Sequence, residues 1–370
     1  FAFDAHDGID MLIAAQMEPN GTTVTGGLRG SLSLAQVRVH DGALNAAQVT
    51  NNFNEHAAAF GQTPLATERT LAYWSFENGP AGANVPHGAA NGWPNFAPDI
   101  ADSSGSGNAL SMWETGGGAG FAYRSDVPRA FIPGTEATNN FSMKNTGAFP
   151  ASFSEPNGPL SALELDQWTV EVSWKPENGG FRTVVGRDAQ GVASANGGFA
   201  ALYLQAQPDD SLAVKFTDEA GVFHEAVSAP GIVQGFDFGS DPEGTQGVWH
   251  NIAAVSDGST LSLYLDTGSG YVLLDQTVLV SSNTALTDGF TTVGGVAGGG
   301  DWNAGTWTVG RGMFNGGQAD RAFGFIDEVR ISNYALTTSQ FLYAPVPEPA
   351  TATLALVGLA GLASRRRRRA

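Results

Sequence analysis

Three sets of residues in this 370-residue chain have the types and spacing for chemistry. The first is oxygen donors. Asp102 and Asn108 frame the turn-rich loop Asp102-Ser-Ser-Gly-Ser-Gly-Asn108, whose flexible glycines also offer backbone carbonyls. Asp327 sits in Phe325-Ile-Asp-Glu-Val-Arg-Ile331. Unbroken strand alternation puts it on the face of Phe325, Val329 and Ile331, where a carboxylate is costly unless paired or coordinated. A hard cation such as calcium takes about six to eight oxygens of these kinds. The second set is Trp93, Trp113 and Trp302, large rings in loop-like, glycine-rich surroundings. A flat ring beside polar groups suits a sugar face; packing over the ends of a β domain is the alternative for each. The third set is Glu164-Leu-Asp166-Gln-Trp168. Glycoside hydrolysis needs two carboxylates across one bond, one protonated and one ionised. The fifth position here is Trp168 rather than a third acid, so Glu164 and Asp166 read as a solvated turn before a strand.

No nucleophile motif of the Gly-x-Ser-x-Gly kind accompanies His6, His40, His56, His87, His224 or His250. His250 follows a strand-start Trp and reads as a hydrogen-bonding residue rather than a base. The absence of cysteine excludes disulfides, thiolate metal sites and thiol catalysis. The chain therefore reads as non-enzymatic. Its net charge is −18, and five of its 18 basic residues form the block Arg365 to Arg369, so the body is more acidic still. Such a surface repels phosphate backbones and excludes nucleic acid as a partner, while acidic loops suit calcium.

The elements that must position these groups are strands. Trp249 to Asp266 contains two alternating runs joined by Asp257-Gly258, a tight-turn pair. Leu261, Leu263 and Leu265 share one face, which predicts core. Further strands are predicted at Leu71 to Glu77, Trp168 to Lys175, Phe181 to Gly186, Phe199 to Gln205, Ser211 to Asp218, Gly221 to Ala226, Tyr271 to Leu279, Trp307 to Gly310 and Phe323 to Ile331. Residues 111–160 read as irregular and glycine-rich. Trp74, Trp168, Trp174 and Trp249 are expected in the core. The 49 glycines and short apolar runs fit an all-β antiparallel two-sheet sandwich over residues 70–344.

Gln36-Val-Arg-Val39, Ala43-Leu44 and Gln48 repeat at one constant offset as Glu328-Val-Arg-Ile331, Ala335-Leu336 and Gln340, with Ala35 in the place of Asp327. Residues 1–60 are accordingly expected to be a truncated β remnant, the last strands of an upstream domain, either paired with the main sheet or poorly ordered. Residues 61–69 read as a linker. The chain starts at Phe1 without a basic-then-apolar leader, so a signal peptide is expected upstream.

Trp74-Ser-Phe-Glu77, Asp102-Ser-Ser-Gly, Trp168-Thr-Val-Glu-Val-Ser-Trp174, Trp249-His250, Leu263-Tyr-Leu-Asp266 and Phe325-Ile-Asp-Glu-Val-Arg-Ile331 occur in that order. Together they resemble the LamG-like, concanavalin A-like jelly-roll family. The resemblance implies a jelly roll that binds carbohydrate or a matrix partner, with one structural calcium shared by Asp102 and Asp327. The alternative is that Asp102 caps its own turn and Asp327 meets an arginine such as Arg330 or Arg311.

Residues 345–370 have their own logic. Val346-Pro-Glu-Pro349 precedes an apolar run from Ala350 to Ala363, predicted as a hydrophobic helix, then Ser364 and five arginines. The run is short of the roughly 20 residues that span a bilayer comfortably. The arginines favour the cytoplasmic side, and the prolines keep the preceding segment extended. This order, carried by Pro347, Glu348, Pro349 and Arg365, Arg366, Arg367, Arg368 and Arg369, resembles the PEP-CTERM sorting signal of Gram-negative bacteria. The resemblance implies export, a transient inner-membrane anchor, recognition by an exosortase-type enzyme, and release to the cell surface or extracellular matrix. The expected role is adhesion, or binding of an extracellular polysaccharide or matrix protein. A purely structural surface protein is the alternative, and a glycan hydrolase the third.

Overall fold

Trp168–Pro176 runs through the middle of the larger sheet, and every one of its residues is buried. Alternation assigns Trp168, Val170, Val172 and Trp174 to one face and Thr169, Glu171, Ser173 and Lys175 to the other. Both faces are therefore covered, which a strand carrying charges on one side achieves only with dedicated partners. The structure, a computed structural model, describes residues 15–17, 24–29, 69–86, 96–114, 120–146, 150–156, 158–177, 179–189, 199–288, 305–315 and 317–345.

The chain divides into two units, Phe1–Thr67 and Glu68–Ala370. In the first, β1 (Ala15–Met17) and β2 (Val24–Arg29) pair antiparallel with each other. The repeated stretch from Gln36 to Gln48 lies outside the described residues.

In the second unit the strands follow as β3 (Thr70–Trp74), β4 (Leu110–Glu114), β5 (Phe121–Arg124), β6 (Phe131–Ile132), β7 (Ala137–Thr138), β8 (Ser142–Asn145), β9 (Pro150–Ser154) and β10 (Trp168–Pro176). Then come β11 (Arg182–Arg187), β12 (Leu202–Ala206), β13 (Leu212–Thr217), β14 (Phe223–Val227), β15 (His250–Ser256), β16 (Thr260–Asp266) and β17 (Tyr271–Val278). The last are β18 (Trp307–Val309), β19 (Gly312–Phe314), β20 (Gly317–Ala319) and β21 (Gly324–Ser332). One sheet has the order β17-β16-β15-β10-β21-β8-β5, with β3 also paired to β21; the other has the order β14-β13-β12-β11-β18-β9-β4. Every ladder between these strands is antiparallel. Among the described residues every regular element is a strand.

The inner faces of the two sheets share one apolar core that includes Trp74, Trp168, Trp174 and Trp307. Trp168 of β10 meets Phe216 of β13 edge to face, with ring centroids 5.4 Å apart, the arrangement that ring quadrupoles favour. Leu261 and Leu263 are fully buried, and Leu265 packs against the core from its edge. Trp249 differs from expectation: it is half-buried, and its indole N–H donates to Asp126 Oδ1 at 2.8 Å. The Asp257-Gly258 turn is a three-residue loop, with Gly258 alone at positive φ and Asp257 Oδ1 accepting from the N–H groups of Ser259 and Thr260.

Residues 111–160, expected to be irregular, instead supply strands to both sheets. β4 and β9 complete one sheet, and β5 and β8 complete the other. These strands are four or five residues long, too short for alternation to stand out, and β9 begins with Pro150.

The outer face of the larger sheet is crossed by a strap, residues 333–344. Thr169 Oγ1 donates to Tyr334 O and accepts from Leu336 N. Glu171 Oε1 accepts from Leu342 N at 2.7 Å, and Glu171 Oε2 from Arg330 Nε at 2.6 Å. Arg330 Nη2 also donates to Gln340 O. The polar side chains of β10 are thus partners for the strap's backbone.

Gly324 opens β21 at φ +107°, and a Cβ there would lie 2.1 Å from Lys175 O. Gly324→Ala is expected to destabilise the fold by about 2 kcal/mol or more. Equilibrium urea unfolding measures this; an unchanged midpoint would show that β21 tolerates displacement from β10.

Candidate functional site

β21 changes partners along its length. Phe325 and Ile326 pair with β8, whereas Val329 to Ser332 pair with β3. Asp327 and Glu328 fall in the interval between. On the opposite edge the register with β10 slips between Asp327 and Arg330, and Glu328 takes φ +52°. This is a β-bulge, which redirects side chains. Two consecutive carboxylates thereby end in the interior, both with no exposed surface.

Their surroundings are all oxygen or amide. Asp327 Oδ2 accepts from Asn139 Nδ2 at 2.8 Å, and Asp327 Oδ1 from the Glu328 N–H. The Tyr73 hydroxyl donates to Glu328 Oε2. Asn139 Nδ2 also reaches the Tyr343 hydroxyl at 3.4 Å. Glu328 Oε1 and Asn139 Oδ1 are buried without a hydrogen-bond partner. Among the described residues no ion pair reaches either carboxylate. The two arginines that sequence offered are engaged elsewhere, Arg330 with Glu171 and Arg311 with Asp188. Burial pushes the Asp327 carboxyl well above the usual carboxylate range, and the neighbouring Glu328 adds to this. Burial also raises Glu328 to about 8, although the Tyr73 hydrogen bond opposes the shift. Two adjacent buried acids, one with an orphaned oxygen and neither in an ion pair among the described residues, call for a proton or a metal ion. The donor set of carboxylate, amide and hydroxyl oxygens fits a hard cation.

Asp102 sits apart from this pair. Its Oδ1 accepts from the N–H groups of Tyr73 and Ser104, and its Oδ2 from Ser104 Oγ and the Asn108 N–H. Asn108 in turn donates to Leu71 O and accepts from the Trp74 indole. Asp102 and Asn108 are therefore brought together as the two ends of one self-capped turn. Tyr73 links the two places, donating its N–H to Asp102 and its hydroxyl to Glu328. Sequence pointed to Asp327, but not to Glu328, Asn139, Tyr73 or Tyr343. The polar, non-alternating Asp-Glu pair inside an otherwise apolar strand was the available signal.

Trp113, on β4, is half-buried; it meets Phe153 edge to face and packs beside Tyr203 and Met313. Trp93 and Trp302 lie outside the described residues, as do Pro347, Glu348, Pro349 and Arg365 to Arg369. Glu164 and Asp166 lie exposed before β10. Carboxylate oxygens of Glu164, Glu219 and Asp288 come within 4.8 Å of one another. Burial and then its acidic neighbours raise the Glu164 carboxyl, and the buried Arg187 guanidinium supplies the nearby positive charge. His250 is buried, and burial lowers its imidazole to about 4, so it is neutral near pH 7.

Two surface cavities lie among the described residues. One of about 170 Å³ lies between Phe96, Asn108 and Glu155. The other, of about 390 Å³, is lined by Lys144, Asn145, Glu177, Phe238, Glu243 and Phe323 among others.

Comparison with known proteins gives one assignment by sequence. Residues 345–369 match the PEP-CTERM protein-sorting motif, which marks the chain as an exported, exosortase-sorted protein. No curated protein matches the sequence. Among solved structures, the binding domain of botulinum neurotoxin serotype G is similar over 73% of this chain at 8% identity and a TM-score of 0.42; this chain spans 49% of its length. Domain 4 of AbnA, a GH43 extracellular arabinanase from Geobacillus stearothermophilus in complex with arabinotriose, is 16% identical over 74% of this chain and 96% of that one, with a TM-score of 0.42. CBM40 of the Ruminococcus gnavus IT-sialidase, bound to alpha2,3 sialyllactose, is 14% identical over 48% of this chain and 81% of that one, with a TM-score of 0.34.

The raised Glu328 carboxyl sets a pH dependence. Between the usual value of 4.5 and about 8 the folded chain retains a proton that the unfolded chain has lost. This contribution to stability is complete below about pH 4.5 and is lost as pH rises toward 8. In chelator, the thermal midpoint is expected to fall between about pH 6.5 and 8, above the window in which the neutral His250 contributes the opposite slope, and Glu328→Gln to flatten the fall. A wild-type midpoint that rises over that range, or an unchanged slope in Glu328→Gln, would contradict the assignment.

Proposed function

We propose that this chain is an exported cell-surface or matrix protein whose LamG-like jelly roll binds carbohydrate or a matrix partner and carries one structural calcium. The sorting motif at residues 345–369 is the observation that carries the reading. It directs the protein to a place where its contacts are with extracellular polysaccharides and matrix proteins. The binding role is supported by a rigid antiparallel scaffold whose loops leave a polar and aromatic cavity at the surface. Binding rather than hydrolysis is favoured because Glu164 and Asp166 lie on an exposed turn and His250 is a buried neutral imidazole.

Asp327 and Glu328 would hold the calcium, with Asn139 Oδ1 as a neutral donor. The orphaned oxygens of Glu328 and Asn139 support this set. Asp102, whose four accepted hydrogen bonds already satisfy it, is left out. The ion would supply positive charge between two buried carboxylates and so fix the bulge of β21.

Calcium at 100-fold its dissociation constant, bound to the native state alone, should add roughly 2.7 kcal/mol of stability. Differential scanning calorimetry with calcium and then with excess chelator measures this, and Asp327→Asn should abolish the difference. Equal midpoints in wild type would remove the metal and leave the carboxylates protonated. For sorting, replacing Arg365 to Arg369 by glutamates should retain the unprocessed chain in the cell. Surface labelling and fractionation in an exosortase-bearing host would detect it, and undiminished display of that variant would refute the basic block's role.

A further inference from the structure

The larger cavity contains the ingredients of a saccharide subsite. Phe238 is 48% exposed, yet it stands on a loop that is firmly held. Asp237 caps the turn after it through Gly239 N and Ser240 Oγ. Asp241 accepts from the N–H groups of Thr245 and Gln246. Lys175 Nζ donates to Gly244 O at 2.8 Å, and Lys144 Nζ donates to Pro242 O. The ring is therefore presented to solvent by a preformed support rather than by a slack loop, which lowers the ordering cost of binding.

Two polar groups in the same cavity have capacity left. Glu177 Oε2 is buried without a hydrogen-bond partner, a costly state for an acceptor. Burial raises its carboxyl, while Lys144 and Arg182 oppose the shift. The Lys144 ammonium has three donors, of which Pro242 O takes one. Its Nζ also lies 5.7 Å from the Phe238 ring centre. An acceptor and a donor beside an exposed ring match a pyranose, which offers an apolar C–H face and adjacent hydroxyls. The cavity, about 390 Å³, falls in the range of small-molecule sites, roughly 300–1,000 Å³.

We propose that Phe238, Lys144 and Glu177 form a subsite for a neutral sugar residue of a polysaccharide. Phe238 stacks on the ring face, the accessible side of the half-buried Glu177 carboxylate accepts from one hydroxyl, and Lys144 Nζ donates to its neighbour. Charge selects the sugar. Lys144 is outnumbered in the cavity by Glu177 and Glu243, and the whole chain carries −18, so uronates are repelled. This proposal names the site of the carbohydrate-binding reading above and rests on it.

Affinity electrophoresis of the full chain in gels containing dextran, laminarin or galactomannan, with polygalacturonate as the acidic control, tests it. At least one neutral polysaccharide should retard the wild type. Phe238→Ala should weaken that retardation about tenfold, the loss of one good stacking contact, and Glu177→Gln should weaken it too. Unchanged thermal midpoints would show both variants folded. Wild-type retardation equalled by both folded variants would overturn this site and leave the carbohydrate reading standing. Retardation by polygalacturonate alone would overturn the choice of a neutral sugar. Failure of every polysaccharide to retard the wild type would overturn the site and the carbohydrate reading together.

Discussion

The buried ion pair between Glu171 and Arg330 is the constraint on which the outer half of the molecule depends. Glu171 points away from the sandwich core, from the centre of the larger sheet, yet only 1% of it is exposed. A lone carboxylate there would be destabilising, and removing one partner of such a pair typically costs about 3–5 kcal/mol. Arg330 and the Leu342 N–H satisfy it, and Arg330 in turn holds Gln340 O. The strap is thus required by a charge on β10 as much as by its own apolar residues. In crossing the sheet it also lays Tyr343 beside Asn139 and the two interior acids of β21.

Those acids follow from a second constraint, the change of partner along β21. A strand served by β8 at one end and β3 at the other has a short interval where no ladder fixes its backbone. The bulge at Glu328 uses that interval, and positive φ turns two successive side chains into the protein. The Asp188–Arg311 pair shows the contrasting solution, a bidentate partnership at 2.7 and 2.8 Å with no opening for an ion. Asp327 and Glu328 have hydroxyl and amide neighbours instead, and this difference makes their site chemically receptive.

Much of the scaffold was legible because long strands announce themselves. The run from Trp168 to Lys175 and the hairpin around Gly258 alternate cleanly, and their apolar faces are core. The strands between Leu110 and Ser154 were not legible, since four or five residues of mixed size carry little periodicity. Asp327 was recognisable as a misplaced carboxylate, but its surroundings were not. One left-handed residue undoes the alternation argument, and Asn139, Tyr73 and Tyr343 come from far along the chain. Of the two readings of Asp102, a calcium shared with Asp327 or a cap on its own turn, the hydrogen bonds within its loop belong to the second, since that loop carries its own donors. Phe238 was not legible as an exposed ring, because a phenylalanine in a short apolar stretch has the pattern of a core residue. In Gly235-Phe-Asp-Phe-Gly239 the turn that follows Phe236 separates the two rings, Phe236 buried and Phe238 exposed, which spacing alone does not reveal.

The strap has a mechanical consequence. The sorting motif begins at residue 345, directly after Ala344. Tension on the tail therefore enters the body through residues 333–344 before it reaches any strand. The strap is fastened by separate bonds to Thr169, Glu171 and Gly134 rather than by a continuous ladder, so a pull loads them one after another. The Glu171–Arg330 pair, which holds both Leu342 N and Gln340 O, is the most heavily bonded of these fastenings. The segment that joins the sorting motif to the body is thus fixed by single bonds at spaced points, and any event at the motif reaches the sheets only through them.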